Sequence, residues 1–376
     1  MNKDYCLESN IVSIVLGPFH PFLPGPMRLH LSLDGEIIVS ALAETGLSHK
    51  GLESALEKSP WRATVPYCDH LDPECSMFGE LAFCMAVEAI AGISIPPRAQ
   101  MVRLILSELG RISSHLRFIV LTAKAVGSET VIHYVLRDRE KILDLFELLT
   151  GARFSHGFLC FGGVRKDITE GFIERLNDIC ELLKLRLKEY NDLFSFHHGF
   201  VSRSVGVGFL GLQQIKKWNV SGPSARASGL KEDVRSNQPY TGYETIDFKV
   251  ICNLELNKDA GDCYDRYLLR LREIDQSTEI LKQASELIPK GEILSSSSKI
   301  NFAIPPGEAQ TKIESPRGCL SCFVVSEGGP TPFRVQYQTP SASGIMAAQE
   351  ILIGTRLEDF PLVLSSLDLS ISEIDK

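Results

Sequence analysis

The spacing of apolar residues changes along the chain from short runs to long helical periods. Short apolar runs cover residues 11–16, 29–33 and 37–42, and the pair Asp34–Gly35 between the last two is typical of a hairpin turn. Strands joined by such a turn pair antiparallel. The pattern therefore predicts a small antiparallel sheet in the N-terminal region.

The middle of the chain has the period of amphipathic helices. From Gly79 onward apolar residues recur at helical spacing in two segments, which Pro96 and Pro97 separate. Further helical periods cover residues 134–150, 170–194 and 262–287, each ending near a Gly, His or Pro. Helix is therefore predicted to dominate the centre of the molecule.

The C-terminal part returns to short apolar runs. Residues 321–325 and 333–338 are strand-like, and residues 340–355 have the pattern of a closing helix. We find neither an internal repeat nor a linker long enough to separate independent domains.

These patterns predict an α+β fold that is mostly helical. An N-terminal β region spans residues 1–78, a helical body spans residues 79–290, and a C-terminal β/α region spans residues 291–376. We expect the three regions to form one compact unit.

Composition adds limits to this picture. The chain has 376 residues, of which 44% are hydrophobic, so it can bury a large core. A charged fraction of 23% and a net charge of −8 are ordinary for a soluble surface, and Lys and Arg are scattered. The acidic balance argues against nucleic acid as the main partner.

The sequence predicts a cytoplasmic protein whose contact with any membrane is peripheral. Segment 1–10 carries Asp4 and Glu8 and lacks the apolar run of a signal peptide. The most apolar stretch, residues 116–126, contains Arg117 and Lys124 and is far shorter than the ~20 residues of a membrane-spanning helix.

The ten cysteines are expected to be mostly reduced and packed, because a long cytoplasmic chain does not use a disulfide framework. Cys319 and Cys322 form a CxxC pair, which could be half of a zinc or iron–sulfur site. No second pair stands at a suitable spacing, so packed thiols are the favoured interpretation and no metal site is predicted.

Other short motifs give little support to independent catalysis. Residues 206–211 match the dinucleotide pattern GxGxxG, but no βαβ unit surrounds them, so a glycine-rich bend is favoured over a nucleotide site. The chain contains no GxSxG, HExxH or GxxxxGK[ST] motif. Hydrolase or kinase chemistry by this chain alone is therefore poorly supported.

Glu108, Arg111 and His115 fall on one face of a predicted helix, at positions i, i+3 and i+7. Such a stripe could tune a proton pathway. More often it forms a polar seam, fully hydrogen-bonded, between packed helices, and we favour that interpretation.

A second charged group lies at a predicted helix start, where Asp262, Asp265 and Arg266 alternate with aromatic residues. It could be a charged surface that faces a redox partner. The residue types alone favour a helix cap with an intrahelical salt bridge.

Taken together, ordered motifs along nearly the whole chain resemble the D-type (49-kilodalton) subunit family of proton-pumping NADH:quinone oxidoreductase, respiratory complex I. The motifs are Gly17-Pro18 with His20-Pro21, His49-x-Gly51-x-Glu53, Pro66-Tyr67-x-Asp69-x-Leu71-Asp72, Glu108-Leu109-x-Arg111-Ile112-x-x-His115-Leu116, Gly151-Ala152-Arg153, Gly162-Gly163-Val164, Ser221-Gly222-Pro223, Gly261-Asp262-x-Tyr264-Asp265-Arg266-Tyr267, Glu314-x-Pro316-Arg317-Gly318 and Glu373-Ile374-Asp375.

The resemblance implies a fold like that of the large subunits of nickel-iron hydrogenases. It also implies a peripheral subunit on the cytoplasmic side of the cell inner membrane, among other peripheral-arm and membrane-arm subunits. A small partner subunit would carry the terminal [4Fe-4S] cluster, and electrons would pass from it to quinone in a cavity between the two proteins, coupled to proton translocation. This chain itself would bind no cofactor alone.

Hydrogenase large subunits hold their metal with one Cys pair near each end of the chain. The corresponding positions here are Asp72-Pro73-Glu74-Cys75, with one Cys, and Asp368-Leu369-Ser370-Ile371, with none. Nickel needs soft thiolate ligands in a fixed set, so a hydrogenase site is not expected.

The resemblance also implies which residues face the quinone, and the chain departs from it at two of them. A His in the first loop and a Tyr after the Leu-Asp pair would bind the head group, but Pro24 and Pro73 stand there. Proline has no side-chain donor. The remaining pocket candidates are His20, Gly25, Tyr67, Asp69, His70 and Asp72, and the partner-interface candidates are Arg153, Asp262, Asp265 and Arg266.

Three functions remain open from the sequence. The first is a quinone-pocket subunit of an NADH:quinone oxidoreductase with altered head-group contacts. The second, which the two prolines favour, is a subunit of a hydrogenase-related, ion-translocating redox complex that lacks both the metal and ordinary quinone chemistry. The third is a non-catalytic assembly scaffold.

Overall fold

A computed structural model describes residues 11–253, 260–296 and 303–376. Segment 1–10, on which the prediction of no signal peptide rests, lies outside the described residues. The observed fold is α+β and mostly helical, as the sequence predicts.

The N-terminal region begins with a three-stranded antiparallel sheet in the order β1-β2-β3. Its strands are β1 (Ile11–Leu16), β2 (Arg28–Asp34) and β3 (Ile37–Glu44). Alternate β2 residues Leu29, Leu31 and Leu33 are buried, so one face of this sheet packs on the core. Two short helices that the sequence analysis did not predict follow, α1 (Leu52–Lys58) and α2 (Trp61–Cys68).

The helical body contains the longest elements. Their bounds are α3 (Ser76–Ala91), α4 (Pro97–Val126), α5 (Glu129–Thr150), α6 (Phe172–Tyr190), α7 (His198–Ser204), α8 (Leu212–Trp218), α9 (Gly222–Ala227), α10 (Val234–Asn237) and α11 (Cys263–Leu287).

Helix α4 is the centre of this body. It starts with Pro97 at its first position, where the missing N–H costs nothing, and runs for 30 residues. It packs against α5, α11 and α3, and most of its side chains are buried. Gly110 lets α3 approach closely, because a Cβ there would lie 3.3 Å from the Phe78 ring.

Short strands and a second sheet complete the α+β arrangement. Strands β4 (Leu159–Cys160) and β5 (Gly163–Val164) form a hairpin beside α3 and α4. The other three-stranded antiparallel sheet contains β6 (Gly307–Ser315), β7 (Gly318–Ser326) and β8 (Arg334–Gln338). Strand β6 is not predicted from the sequence, because its mixed polar residues contain no apolar run.

The C-terminal end is more helical than the sequence suggests. The predicted closing helix, α12 (Pro340–Ile351), is shorter than residues 340–355, and α13 (Phe360–Leu367) and α14 (Ile371–Ile374) follow it. In the part of the chain that the structure describes, no helix has the length and apolarity needed to cross a membrane.

Candidate functional site

The loop between β1 and β2 is held in a compact shape by glycine. Gly17 has a φ of +108°, and a Cβ there would lie 2.1 Å from the carbonyl oxygen of Met27, so only glycine fits. Gly25 lies against α14, since its Cβ would be 2.8 Å from Ile371 Cβ. The β1–β2 loop therefore packs directly against the C-terminal segment.

A cavity of about 200 Å³, here called the loop pocket, lies between this loop, α4 and α13. It is lined by Pro21, Phe22, Leu23, Pro24, Gly25, Arg117, Leu121, Lys124, Ala125, Pro361, Leu364, Ser365, Asp368 and Leu369. Apolar walls with a few polar groups are typical of small-molecule sites.

The polar groups of the loop pocket differ in how well they are paired. Lys124 is exposed, and its ammonium donates to the Pro21 carbonyl at 3.0 Å and lies 5.7 Å from the centroid of the Phe22 ring. Asp368 is 1% exposed, and among the described residues neither of its carboxylate oxygens accepts a hydrogen bond. The nearest guanidinium contact is Arg317 Nε, 3.9 Å from Oδ2.

The structure places the predicted pocket residues in different environments. Gly25 lines the loop pocket. His20 lies beside it, with its ring 5.7 Å from the Phe360 ring, and its Nδ1 accepts a hydrogen bond from Phe22 N at 3.4 Å. Tyr67 is 44% exposed and His70 is also exposed, and neither lines this cavity.

Asp69 is buried and forms a carboxyl pair with Glu80 of α3. Asp69 Oδ2 accepts from Gly157 N at 2.9 Å, and Glu80 Oε2 accepts from Leu159 N at 2.8 Å. Burial raises the pKa of Glu80 well above its usual value, and its hydrogen bond with Asp69 raises it further. The raised pKa favours a protonated Glu80 beside the Asp69 carboxylate, while the two side chains hold the backbone that leads into β4.

Asp72 joins the start of the helical body to the C-terminal segment. Arg317, buried after β6, pairs with the Asp72 carboxylate and donates from Nε to the Asp368 carbonyl at 2.8 Å. Ser370 donates to Asp72 Oδ1 at 3.2 Å. Arg317 also lies 3.5 Å from Cys75 Sγ.

The segments that correspond to the two hydrogenase metal motifs thus come together in space. In this chain Arg317 holds the two segments together, through the Asp72 carboxylate and the Asp368 carbonyl. The described residues contain no cluster of His, Cys, Asp or Glu with the geometry of a metal site.

Pro73 borders a much smaller cavity, on the side of α4 that faces α5. Its lining includes Glu74, Cys75, Arg153 and His156. Burial raises the pKa of the Cys75 thiol and lowers that of His156. Both groups are therefore neutral near neutral pH.

Glu108 and Arg111 of the predicted stripe lie in a buried network between α4, α10 and β6. Glu108 accepts from Arg111 Nε at 3.2 Å, from Arg235 at 3.0 Å and from Tyr243 at 2.5 Å. Burial alone would raise the pKa of Glu108, but Arg111 and Arg235 outweigh it and lower the pKa to about 2. The carboxylate stays ionised at all ordinary pH values.

His115 lies further along the same face and pairs with Glu273 of α11 at 3.0 Å. Glu273 also accepts from Arg226 at 2.9 Å, and Arg226 reaches Glu314 at 2.6 Å. Burial lowers the pKa of His115 even though Glu273 opposes the shift. The stripe is thus a seam between packed elements, with His115 Nδ1 unpaired among the described residues.

The proposed partner surface at the start of α11 needs a correction. Arg266 is 0% exposed and donates to the carbonyls of Gly261 at 2.7 Å and Gly208 at 2.8 Å, so it cannot face a partner. Asp262 caps α11 by accepting from Asp265 N at 2.8 Å. The charged group at this point is a helix cap.

Arg153 remains at the surface. It pairs with Asp144 at 2.8 Å, and it also contacts Glu140 and Glu147. Arg153 is partly exposed, and its three acidic partners all lie on α5.

The CxxC pair lies in β7, where residues three apart point to opposite faces. Cys322 is fully buried and Cys319 is partly exposed, so the two thiols cannot share one ion. Each cysteine of the described chain is a free thiol. The GxGxxG segment follows α7 rather than a strand, and Gly206 N donates to Asp262 Oδ2 at 2.8 Å.

Sequence reasoning missed Lys124, Glu80 and Asp368 as site residues. Lys124 was noted only because it interrupts an apolar run, although its spacing from Arg117 and Leu121 puts all three on one helix face. Glu80 carried no signal, since its partner Asp69 belongs to another element.

The fold is that of a mostly helical α+β protein with a largely apolar cavity between the β1–β2 loop, α4 and α13. The family model described as "Respiratory-chain NADH dehydrogenase, 49 Kd subunit" matches residues 125–303 and 296–376.

Curated relatives align over nearly the whole chain. The D-type subunit of NADH-quinone oxidoreductase from Carboxydothermus hydrogenoformans is 37% identical, over 98% of this chain and 100% of its own length. The protein of the same name from Desulforamulus reducens is 38% identical, over 96% and 97%. The D-type subunit of F(420)H(2) dehydrogenase from Methanosarcina mazei is 36% identical, over 98% and 99%.

The chain therefore belongs to the 49-kilodalton subunit family of respiratory-chain NADH dehydrogenase. The predicted class, a subunit of an oxidoreductase complex rather than an enzyme that acts alone, is confirmed.

Proposed function

We propose that this chain forms one wall of a quinone cavity in a membrane-associated redox complex. A small partner subunit with a terminal [4Fe-4S] cluster supplies the electrons, and the complex couples their transfer to proton translocation. The chain sits peripherally on the cytoplasmic side of the inner membrane, between the other peripheral-arm subunits and the membrane arm.

The loop pocket is the observation that carries this proposal. Family membership gives the class of complex, and the pocket gives a place for an apolar ring between Pro24 on the loop and Leu369 in the C-terminal segment. Its walls are mostly carbon. Displacement of water from these walls by the ring of a planar head group therefore favours binding.

The residues present fit a quinone. Such a ligand accepts two electrons and two protons to become a quinol, and its oxygens need donors when they are buried. Phe22, Leu121 and Leu364 line the space for the ring, Lys124 is an exposed polar group at its edge, and Asp368 is buried in its wall. Pro24 lines this cavity without donating a hydrogen bond, whereas Pro73 borders the smaller cavity beside α5.

A second candidate concerns the electron donor. The relative named for F(420)H(2) dehydrogenase is almost as similar as the relatives named for NADH. This supports a related ion-translocating complex in which the donor is F(420)H(2) or reduced ferredoxin, and Pro24 and Pro73 fit such a complex because they remove the usual head-group contacts.

Turnover of the intact assembly tests both candidates. The complex is purified, its iron–sulfur signals are recorded, and reduction of a soluble quinone is assayed with NADH, F(420)H(2) or reduced ferredoxin. Inhibitor-sensitive turnover with NADH selects the first candidate, and turnover with another donor selects the second. Intact iron–sulfur signals without inhibitor-sensitive quinone reduction by any donor would contradict the proposal and select the assembly scaffold.

A further inference from the structure

We propose that Lys124 is the hydrogen-bond donor to a head-group carbonyl of the quinone in the loop pocket. The inference rests on the proposed function and adds a positioning residue to it. It gives the pocket a donor that Pro24 cannot supply.

The first observation is the position of Lys124 on the last turn of α4. Arg117, Leu121 and Lys124 are spaced by four and three residues, so one helix face lines the cavity. Leu121 packs the wall, and Lys124 stands next to the loop, with its ammonium near Pro21 and Phe22.

The second observation is the spare donor capacity of Lys124. An ammonium carries three N–H donors. The described contacts use one of them on the Pro21 carbonyl, and the Phe22 ring attracts the charge without needing a hydrogen bond. The ammonium is therefore oriented and still able to donate.

The other donors of the lining are drawn toward protein groups. Arg117 pairs with Glu74 at 3.3 Å, and Ser365 donates its hydroxyl hydrogen to the Leu362 carbonyl at 3.0 Å. Asp368 offers only acceptors when it is ionised. Lys124 is the group in this lining best placed to meet a carbonyl oxygen.

The third observation comes from Asp368 on the far side of the lining. It is 1% exposed, and its carboxylate oxygens accept no hydrogen bond from the described residues. A buried acceptor without a donor favours a ligand that brings an O–H group. A quinone head group, which has a carbonyl before reduction and a hydroxyl after it, matches Lys124 and Asp368 together.

The test uses the assembled complex with Lys124→Met, which keeps an apolar stem and removes the donor. We expect KM for a soluble quinone to rise about 10- to 100-fold, as for loss of a hydrogen bond from a charged donor, with a smaller change in kcat. Lys124→Arg keeps a charged donor and should have a KM close to that of the unmodified complex. Lys216→Met, on the exposed face of α8, is the matched control and should leave KM unchanged.

A spectroscopic signature separates this role from a merely structural one. The carbonyl stretch of a carbonyl-labelled quinone bound to the complex should move to higher wavenumber in Lys124→Met, because the hydrogen bond that weakens the C=O bond is gone. If the methionine variant fails to assemble, Lys124→Gln keeps a neutral donor for Pro21 and should still raise KM and shift the band.

Unchanged KM and an unchanged carbonyl band in assembled Lys124→Met or Lys124→Gln would overturn the inference while leaving the proposed function intact. Absence of inhibitor-sensitive quinone reduction in the unmodified complex would instead overturn the proposed function, and this inference with it. The two failures are therefore distinguishable.

Discussion

At the scale of residues, the buried charges differ in whether all their atoms are paired. Glu108 meets two arginines, a tyrosine and a serine, so its charge is fully compensated. Glu80 has one oxygen on a backbone N–H, and its other oxygen finds only the carboxyl of Asp69. Such a pair is stable only while it holds a proton, which makes it sensitive to pH.

Glu80→Gln should make the chain less sensitive to alkaline pH. Burial and the hydrogen bond to Asp69 raise the folded-state pKa of Glu80 above the unfolded value of about 4.5. Its contribution to the free energy of unfolding is therefore fully present below pH 4.5 and is lost as pH rises toward the folded pKa. The loss approaches about 1.4 kcal/mol per pH unit.

Denaturant unfolding of the full chain between pH 5 and pH 8 measures this effect. The glutamine amide can donate to Asp69 and accept from Leu159 N without titrating, so the variant should lose less stability as pH rises. Glu327→Gln, at an exposed position, is the control. Equal pH slopes for Glu80→Gln and the unmodified chain would contradict the protonation of Glu80.

At the scale of elements, long helices with an apolar face can be predicted from the sequence, whereas a mostly polar strand cannot. Helical periods and breakers locate α5, α6 and α11 well, because each has a long apolar face. Strand β6 was missed because its residues are mostly polar, and its pairing with β7 rather than its own pattern makes it a strand. In this strand, long-range pairing outweighs intrinsic strand propensity.

Asp262→Ala should destabilise the chain through the start of α11. The carboxylate accepts from Asp265 N at 2.8 Å and from Gly206 N at 2.8 Å, so the variant leaves two donors unpaired. We expect a loss of about 1–2 kcal/mol in the free energy of unfolding. Ser128→Ala is the matched control, since Ser128 caps α5 without a side-chain hydrogen bond and should cost much less. Equal losses in the two variants would contradict the capping role.

At the scale of the whole molecule, Arg317 joins three distant parts of the chain. It pairs with Asp72 before α3, bonds the Asp368 carbonyl after α13 and lies 3.8 Å from Glu373. Burial and Asp72 together raise the pKa of Glu373 to about 7. The arginine therefore compensates a group of carboxylates that would otherwise repel one another.

Arg317→Met should be among the most damaging single changes in this chain. Removing one partner of a buried ion pair leaves uncompensated charge and costs about 3–5 kcal/mol. The control is Arg334→Met, whose exposed pair with Glu57 at 3.1 Å should contribute less than about 1 kcal/mol. Denaturant unfolding of both variants checks the difference, and similar costs would refute the joining role.

The candidate site shows where prediction from sequence ends. Motif order identified the family, and the prolines at positions 24 and 73 could be found by inspection. The sequence could not show that Lys124 and Asp368 share a cavity, because more than 200 residues separate them and neither lies in a periodic pattern that implies contact. The same limit applies to Arg266, whose buried guanidinium donates to the carbonyl of Gly208 in a distant bend as well as to that of nearby Gly261.

The central claim is that a quinone binds in the loop pocket of the assembled complex. Photoaffinity labelling with an azidoquinone, followed by mapping of the labelled peptides, tests it most directly. The account predicts label in residues 21–25 and 361–369 that excess unlabelled quinone displaces. Displaceable label confined to other parts of this chain, or to other subunits, would contradict it.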